Sequence, residues 1–121
     1  MIHTEEPEPT GTPMGAVTFV GFGPGDPGLI TWAGSREVTS ADLLVVDSPT
    51  MVEELASVGI EPLGEVVQVE ADEVAQLVAA VSDGRSVVRL VEGDFFTEAG
   101  HVDVLRRLLE GKRIRTHLIP G

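Results

Sequence analysis

The stretch VGFGPGDPGLIT, residues 20–31, decides the fold because a glycine-rich loop follows a β-branched run and leads into a helical pattern. The run AVTFVG, residues 16–21, predicts a buried strand. The loop begins like the dinucleotide-binding fingerprint G-x-G-x-x-G, but Asp26 stands where that fingerprint needs its third glycine. Pro24 and Pro27 also lack the backbone N–H groups that hold phosphate. The loop therefore argues against a dinucleotide. Two interpretations of the loop stay open. It could be a plain connecting turn, or it could form a surface with few side chains that a flat, uncharged group could approach closely.

Short apolar runs and helical patterns then alternate along the chain. Four further strands are predicted, at residues 43–46, 65–69, 86–91 and 114–119. Four helices are predicted between the strands, at residues 31–41, 49–58, 71–82 and 99–110. This alternation is typical of an α/β domain with a mostly parallel five-stranded sheet and helices on both faces. In such a sheet, ligands bind beyond the carboxyl ends of the strands.

Composition limits the class of protein. The 121 residues predict one domain, and the chain has no apolar run of the roughly 18 residues that a membrane span needs. The formal net charge of −12 and the aromatic fraction of 4% argue against nucleic acid as a partner. The chain has no cysteine, which fits a cytoplasmic protein. Residues 1–15 hold three glutamates and three prolines without apolar periodicity, so we predict a disordered acidic tail.

Two loops carry candidate functional residues. Asp47 directly follows the second strand, where it could be a general base, bind a substrate cation or cap the next helix together with Ser48. The loop after the fourth strand contains Gly93 and Asp94, followed by two phenylalanines that could form a binding wall or cover the core. His101 and His117 have no second ligand at metal spacing, so no metal site is predicted.

Four motifs occur in order along the chain: VGFGPGDPGLIT, ADLLVVDS, GRSVVRLVEGDFF and the closing HLIPG. Together they resemble the tetrapyrrole methyltransferase family, whose best-known members methylate uroporphyrinogen III with S-adenosylmethionine on the routes to siroheme and cobalamin. Family members are about twice as long as this chain and bind the cofactor between two α/β domains. The resemblance implies that residues 16–121 are the N-terminal domain and that the C-terminal domain is absent. It also makes a homodimer through the exposed half of the cleft a candidate assembly.

The resemblance implies roles for particular residues. Pro24 in the first loop, with Glu92, Gly93 and Asp94 in the fourth, would contact S-adenosylmethionine. Asp47 corresponds to the acidic residue near the tetrapyrrole, which makes it the catalytic candidate. Two departures stand out: Glu92 replaces a family glycine and Phe95 replaces a family proline.

Two functions follow from the resemblance. The first is the N-terminal half of a tetrapyrrole methyltransferase, inactive without its second half, and the intact GPGDP and Asp47 favour it. The second is a degenerate, non-catalytic domain that acts as a scaffold or partner in tetrapyrrole biosynthesis, which Glu92 and Phe95 favour. A receiver-like domain is disfavoured because the last strand does not end in a lysine.

Overall fold

A computed structural model describes residues 15–22, 30–92 and 99–119. Within these ranges five strands alternate with four helices. The strands are β1 (Ala16–Phe22), β2 (Leu43–Val46), β3 (Glu65–Gln68), β4 (Val87–Glu92) and β5 (Arg115–Ile119). The helices are α1 (Trp32–Ser40), α2 (Pro49–Ala56), α3 (Glu73–Ser82) and α4 (Ala99–Gly111). The predicted alternation is confirmed, with boundaries that agree to within two residues. The predicted tail at residues 1–15 falls almost wholly outside the described ranges.

The strands form one sheet in the order β3-β2-β4-β1-β5, and every pairing is parallel. Parallel neighbours need crossover connections, which the helices between consecutive strands supply. The order places β4 between β1 and β2, so the loops after the first and fourth strands leave from adjacent strands.

Helices cover both faces of the sheet, as predicted. Leu77 of α3 and Leu105 of α4 pack in one buried cluster, against alternate residues of the central strands. Val38 of α1 and Leu55 of α2 pack in a second cluster on the opposite face. The inner strand β2, which lies between β3 and β4, is buried along its whole length, which is why its sequence LLVV is apolar without alternation.

The stretch that opens the fold also sets the start of α1. Thr31 is the N-cap, and its Oγ1 accepts a hydrogen bond from the Gly34 backbone N–H at 3.0 Å. Gly34 is buried, and a Cβ atom at this position would lie 2.9 Å from Cγ1 of Val20. Glycine has a low helix propensity, so Gly34 makes α1 less stable as an isolated helix. The same residue allows α1 to approach β1 closely, because it has no side chain. Of the described helices, none is long and apolar enough to cross a membrane.

Candidate active site at the carboxyl rim

A buried arginine organises the carboxyl end of the sheet. Arg89 lies in the middle of β4, and only 3% of its surface is exposed. Its Nε donates to Oε2 of Glu73 at 2.5 Å and its Nη2 donates to Oδ1 of Asp47 at 2.8 Å. Its Nη1 donates to the Leu90 carbonyl at 2.7 Å. A buried guanidinium needs such partners because an unpaired charge in the core is strongly destabilising. We call Arg89, Asp47 and Glu73 the carboxylate clamp.

Three elements bring the clamp together. Asp47 directly follows β2, which pairs with β4 so that Val45 lies level with Arg89. Glu73 is the first residue of α3, whose N-cap Asp72 accepts a hydrogen bond from the Ala75 backbone N–H. A carboxylate in the first turn also interacts favourably with the positive end of the helix dipole. The clamp therefore fastens α3 to the sheet at the rim where ligands bind in folds of this type.

The polar contacts continue on both sides of the clamp. His101, in the first turn of α4, places Nε2 3.2 Å from Oε1 of Glu73. Gln68 Nε2 donates to the Asp47 carbonyl at 3.0 Å, and Gln76 Nε2 donates to the Gln68 carbonyl at 3.0 Å. The first turns of α3 and α4 are thus joined at the rim, and the end of β3 is tied to Asp47.

The clamp joins one cation to two carboxylates. Burial alone lowers the pKa of Arg89, but its hydrogen bonds and charge interactions with Glu73 and Asp47 outweigh burial and leave the pKa above its ordinary value. Arg89 is therefore always protonated. The Glu73 side chain is only 11% exposed, whereas that of Asp47 is 50% exposed. Asp47 is the member of the clamp that a ligand at the rim can reach.

The structure resolves the alternatives for Asp47 in part. Ser48, not Asp47, is the N-cap residue of α2 by position, and its side chain makes no capping hydrogen bond. The Asp47 carboxylate is held by Arg89 instead. The catalytic or substrate-binding role predicted for Asp47 stays a prediction.

The predicted cofactor residues lie largely outside the described ranges, which exclude Pro24, Gly93 and Asp94. Glu92 is the last residue of β4 and pairs in register with Phe22, the last residue of β1. The two loops predicted to contact the cofactor therefore start side by side at the same height of the sheet. His101 lies in the first turn of α4, and His117 is exposed on β5. Among the residues that the structure describes, no group of three or more histidine, aspartate or glutamate side chains is placed to hold a metal ion.

Sequence reasoning missed Arg89 and Glu73. The signal was a charged residue inside the apolar strand SVVRLV, because a cation at a buried strand position must have carboxylate partners nearby. The charge in the strand could have indicated that a partner exists. Only the fold identifies Glu73, which is 16 residues away, and Asp47, which is 42 residues away.

Residues 16–121 match the family described as Tetrapyrrole (Corrin/Porphyrin) Methylases. The chain belongs to the tetrapyrrole methylase family. The resemblance inferred from the four motifs is confirmed, and so is the α/β fold class. Two similar proteins are a siroheme synthase of Mannheimia succiniciproducens, 39% identical over 92 residues, and a uroporphyrinogen-III C-methyltransferase of Synechocystis, 32% identical over 118 residues. These matches cover 68% and 89% of this chain but only 19% and 44% of those proteins.

Solved structures show the same fold. A cobalt precorrin-4 methyltransferase superposes with a TM-score of 0.75 at 25% identity, covering 89% of this chain and 46% of the other. A uroporphyrin-III C-methyltransferase of Thermus thermophilus, in complex with S-adenosylhomocysteine, superposes with a TM-score of 0.66 at 30% identity, covering 88% of this chain and 44% of the other. The chain thus spans less than half the length of these solved methyltransferases.

Proposed function

We propose that this tetrapyrrole methylase domain forms the N-terminal half of the active-site cleft of an S-adenosylmethionine-dependent methyltransferase. The acceptor would be a tetrapyrrole such as uroporphyrinogen III, and residues 16–121 by themselves would be inactive because they supply only one wall of the cleft. The observation that carries the proposal is the pairing of Phe22 with Glu92, which starts the two candidate cofactor loops side by side. Asp47, which directly follows β2, is held by Arg89 at the same rim.

The chemistry of the loops is compatible with this cofactor. When bound, S-adenosylmethionine would supply a methyl group from its positively charged sulfur to a nucleophilic carbon of the acceptor, leaving S-adenosylhomocysteine. The first loop does not need the N–H groups that cradle phosphate, so Pro24 and Pro27 are acceptable there. Pro24, Glu92, Gly93 and Asp94 would contact the cofactor, and Asp26 and Asp94 place negative charge in the same loops.

The carboxylate clamp holds Asp47 in a position from which it can act on the acceptor. Methylation of a neutral tetrapyrrole carbon leaves a positive charge on the acceptor until a proton is lost. Asp47 is half-exposed at the rim and hydrogen-bonded to Arg89, so its carboxylate can stabilise that charge and take the proton. Because Arg89 fixes Oδ1, the Asp47 side chain is positioned before the acceptor arrives, which lowers the entropy cost of the step.

The experiment is a titration of isotope-labelled chain with millimolar S-adenosylhomocysteine, followed by NMR at the backbone amides of residues 21–28 and 92–98. We expect shifts confined to these two loops, and none on titration with ATP, because the loops do not form a phosphate cradle. Silence in both loops would contradict cofactor binding by this half of the cleft.

The second candidate function is a non-catalytic scaffold, and the observation that favours it is the replacement of a family glycine by Glu92. The double variant Glu92→Gly, Phe95→Pro should bind S-adenosylhomocysteine more tightly, because the change at Glu92 removes a side chain and a charge beside the proposed cofactor pocket. Glu61→Gly, an exposed substitution at the opposite end of the sheet, is the matched control and should leave the affinity unchanged. If the double variant also fails to bind, the scaffold becomes the better description.

A further inference from the structure

Three exposed cations cluster at the amino end of β5. Lys112 and Arg113 lie in the turn between α4 and β5, and Arg115 is the first residue of the strand. Among the residues that the structure describes, none of these three cations has a carboxylate at ion-pair distance. In a chain with a net charge of −12, such a cluster indicates a surface that holds an anionic group. We call Lys112, Arg113 and Arg115 the basic patch.

An open pocket adjoins the basic patch. Its volume is about 350 Å³, and it is lined by Glu110, Arg113, Ile114, Arg115, Thr116 and His117. The one carboxylate among these residues does not cancel the patch. Oε2 of Glu110 accepts a hydrogen bond from Oγ1 of Thr116 at 2.7 Å and lies 3.8 Å from Nη2 of Arg106. Arg106 therefore balances the charge of Glu110, and the positive charge of the patch stays in excess.

The strand register brings an acidic part of the same chain to this patch. Residues 1–14, which we call the acidic segment, hold three glutamates and no lysine or arginine. The segment leads into β1, whose first residue, Ala16, pairs in register with Arg115. Neighbouring strands lie about 4.8 Å apart. The eight residues from Glu8 to Ala16 can span up to about 28 Å, so the glutamates can reach the patch without any change in the fold.

The strand on the other side of β1 offers a less favourable surface. That strand is β4, and Arg85 stands just before it. Arg85 is already paired with Glu65, at 2.6 Å, and the Asp42 carboxylate accepts a hydrogen bond from the Ser86 backbone N–H at 2.9 Å. Two carboxylates against one cation repel further glutamates. The two neighbours of β1 therefore differ in the charge that they present to the acidic segment.

We propose that the acidic segment docks on the basic patch of its own chain, with its glutamates against the three cations. Because the segment is tethered to β1, its effective concentration is of about millimolar order, so ion pairs too weak to hold a separate peptide can hold it. Pro7 and Pro9 stand on either side of Glu8 and restrict the backbone, which lowers the entropy lost on docking. The docked segment covers the patch against other anions. The contact lies at the end of the sheet opposite to the carboxyl rim and is separate from the proposed cofactor site.

A spin label on the segment tests this contact. The chain has no cysteine, so Thr4→Cys carries a single nitroxide next to Glu5, and the nitroxide broadens the NMR signals of the amides that it approaches. A segment without a preferred site would approach the starts of β4 and β5 equally, because both strands are neighbours of β1. We expect the broadening at residues 112–117 to exceed that at residues 84–88 by about tenfold, the ratio that three exposed ion pairs provide. At about 1 M salt, where the Debye length is about 3 Å, the ratio should fall towards one.

Charge reversal tests which residues make the contact. Glu5→Lys with Glu8→Lys should abolish the preference for residues 112–117, and so should Lys112→Glu with Arg115→Glu. The four changes together should restore the preference, because the opposite charges then face each other again with their signs exchanged. The control is Arg107→Glu, which reverses an exposed cation on α4 outside the patch and should leave the preference unchanged. Circular dichroism melts check that each variant is folded.

Three results would overturn the proposal. The first is equal broadening on both sides of β1, and the second is a preference that survives either reversal. The third is docking on a second copy, which is detected by mixing spin-labelled chain without isotopes with isotope-labelled chain without the nitroxide. Broadening at residues 112–117 in that mixture would assign the patch to a neighbouring molecule. The outcome is separate from the cofactor titration, because the altered residues do not belong to the loops at residues 21–28 and 92–98.

Discussion

Replacing Arg89 with methionine should destabilise the domain severely. Methionine keeps an apolar stem of similar length in the core but leaves Glu73 and Asp47 without their cation. Removing one partner of a buried ion pair costs about 3–5 kcal/mol, because the remaining charge is buried without compensation. Glu73 is 11% exposed and bears most of this cost, whereas Asp47 is 50% exposed and can be hydrated by water. We therefore expect a loss of about 3 kcal/mol, a large part of the 5–15 kcal/mol that is typical of a whole domain.

The assay is urea unfolding followed by circular dichroism, with the free energy extrapolated to water. The matched control is Arg107→Met, which removes an exposed ion pair with Asp103 on α4 and should cost no more than about 0.5 kcal/mol. Adding Glu73→Gln to Arg89→Met should recover much of the loss, since the charge left without a partner is then gone. Two results would refute this role of the clamp. One is an Arg89→Met variant that is as stable as Arg107→Met. The other is a double variant that is less stable than Arg89→Met alone.

Two further changes test the backbone of the fold. Gly64→Ala should lower the free energy of unfolding by roughly 3 kcal/mol, because the new Cβ would clash with the carbonyl oxygen of Ala41, a backbone atom that cannot turn away. A thermal melt like that of the wild type would contradict this packing. Arg113→Gly should raise the same free energy by about 0.5 kcal/mol, because Arg113 has a φ of 65° in the turn after α4, where glycine is not strained. Arg115→Gly, in the extended strand β5, is its control and should lower the stability when both are measured by urea unfolding.

The sequence determined the local elements of this protein. The β-branched runs and the helical spacing depend on neighbouring residues, so strands and helices could be located to within one or two residues. The alternation also implied a parallel sheet with its ligand site at the carboxyl rim, and the four motifs identified the family. Asp47 could be placed at that rim for the same reason: it directly follows a strand.

The tertiary structure decided which distant residues meet. The strand order β3-β2-β4-β1-β5 places β4 between β1 and β2, and no local periodicity contains that information. Only this order brings Arg89 between Glu73 and Asp47. Gly34 is unfavourable in an isolated helix, and only the packing of α1 on β1 shows why a glycine is needed there: a Cβ would lie too close to Val20. Secondary structure follows from interactions a few residues apart, whereas ion pairs and close approaches depend on the path of the whole chain through space.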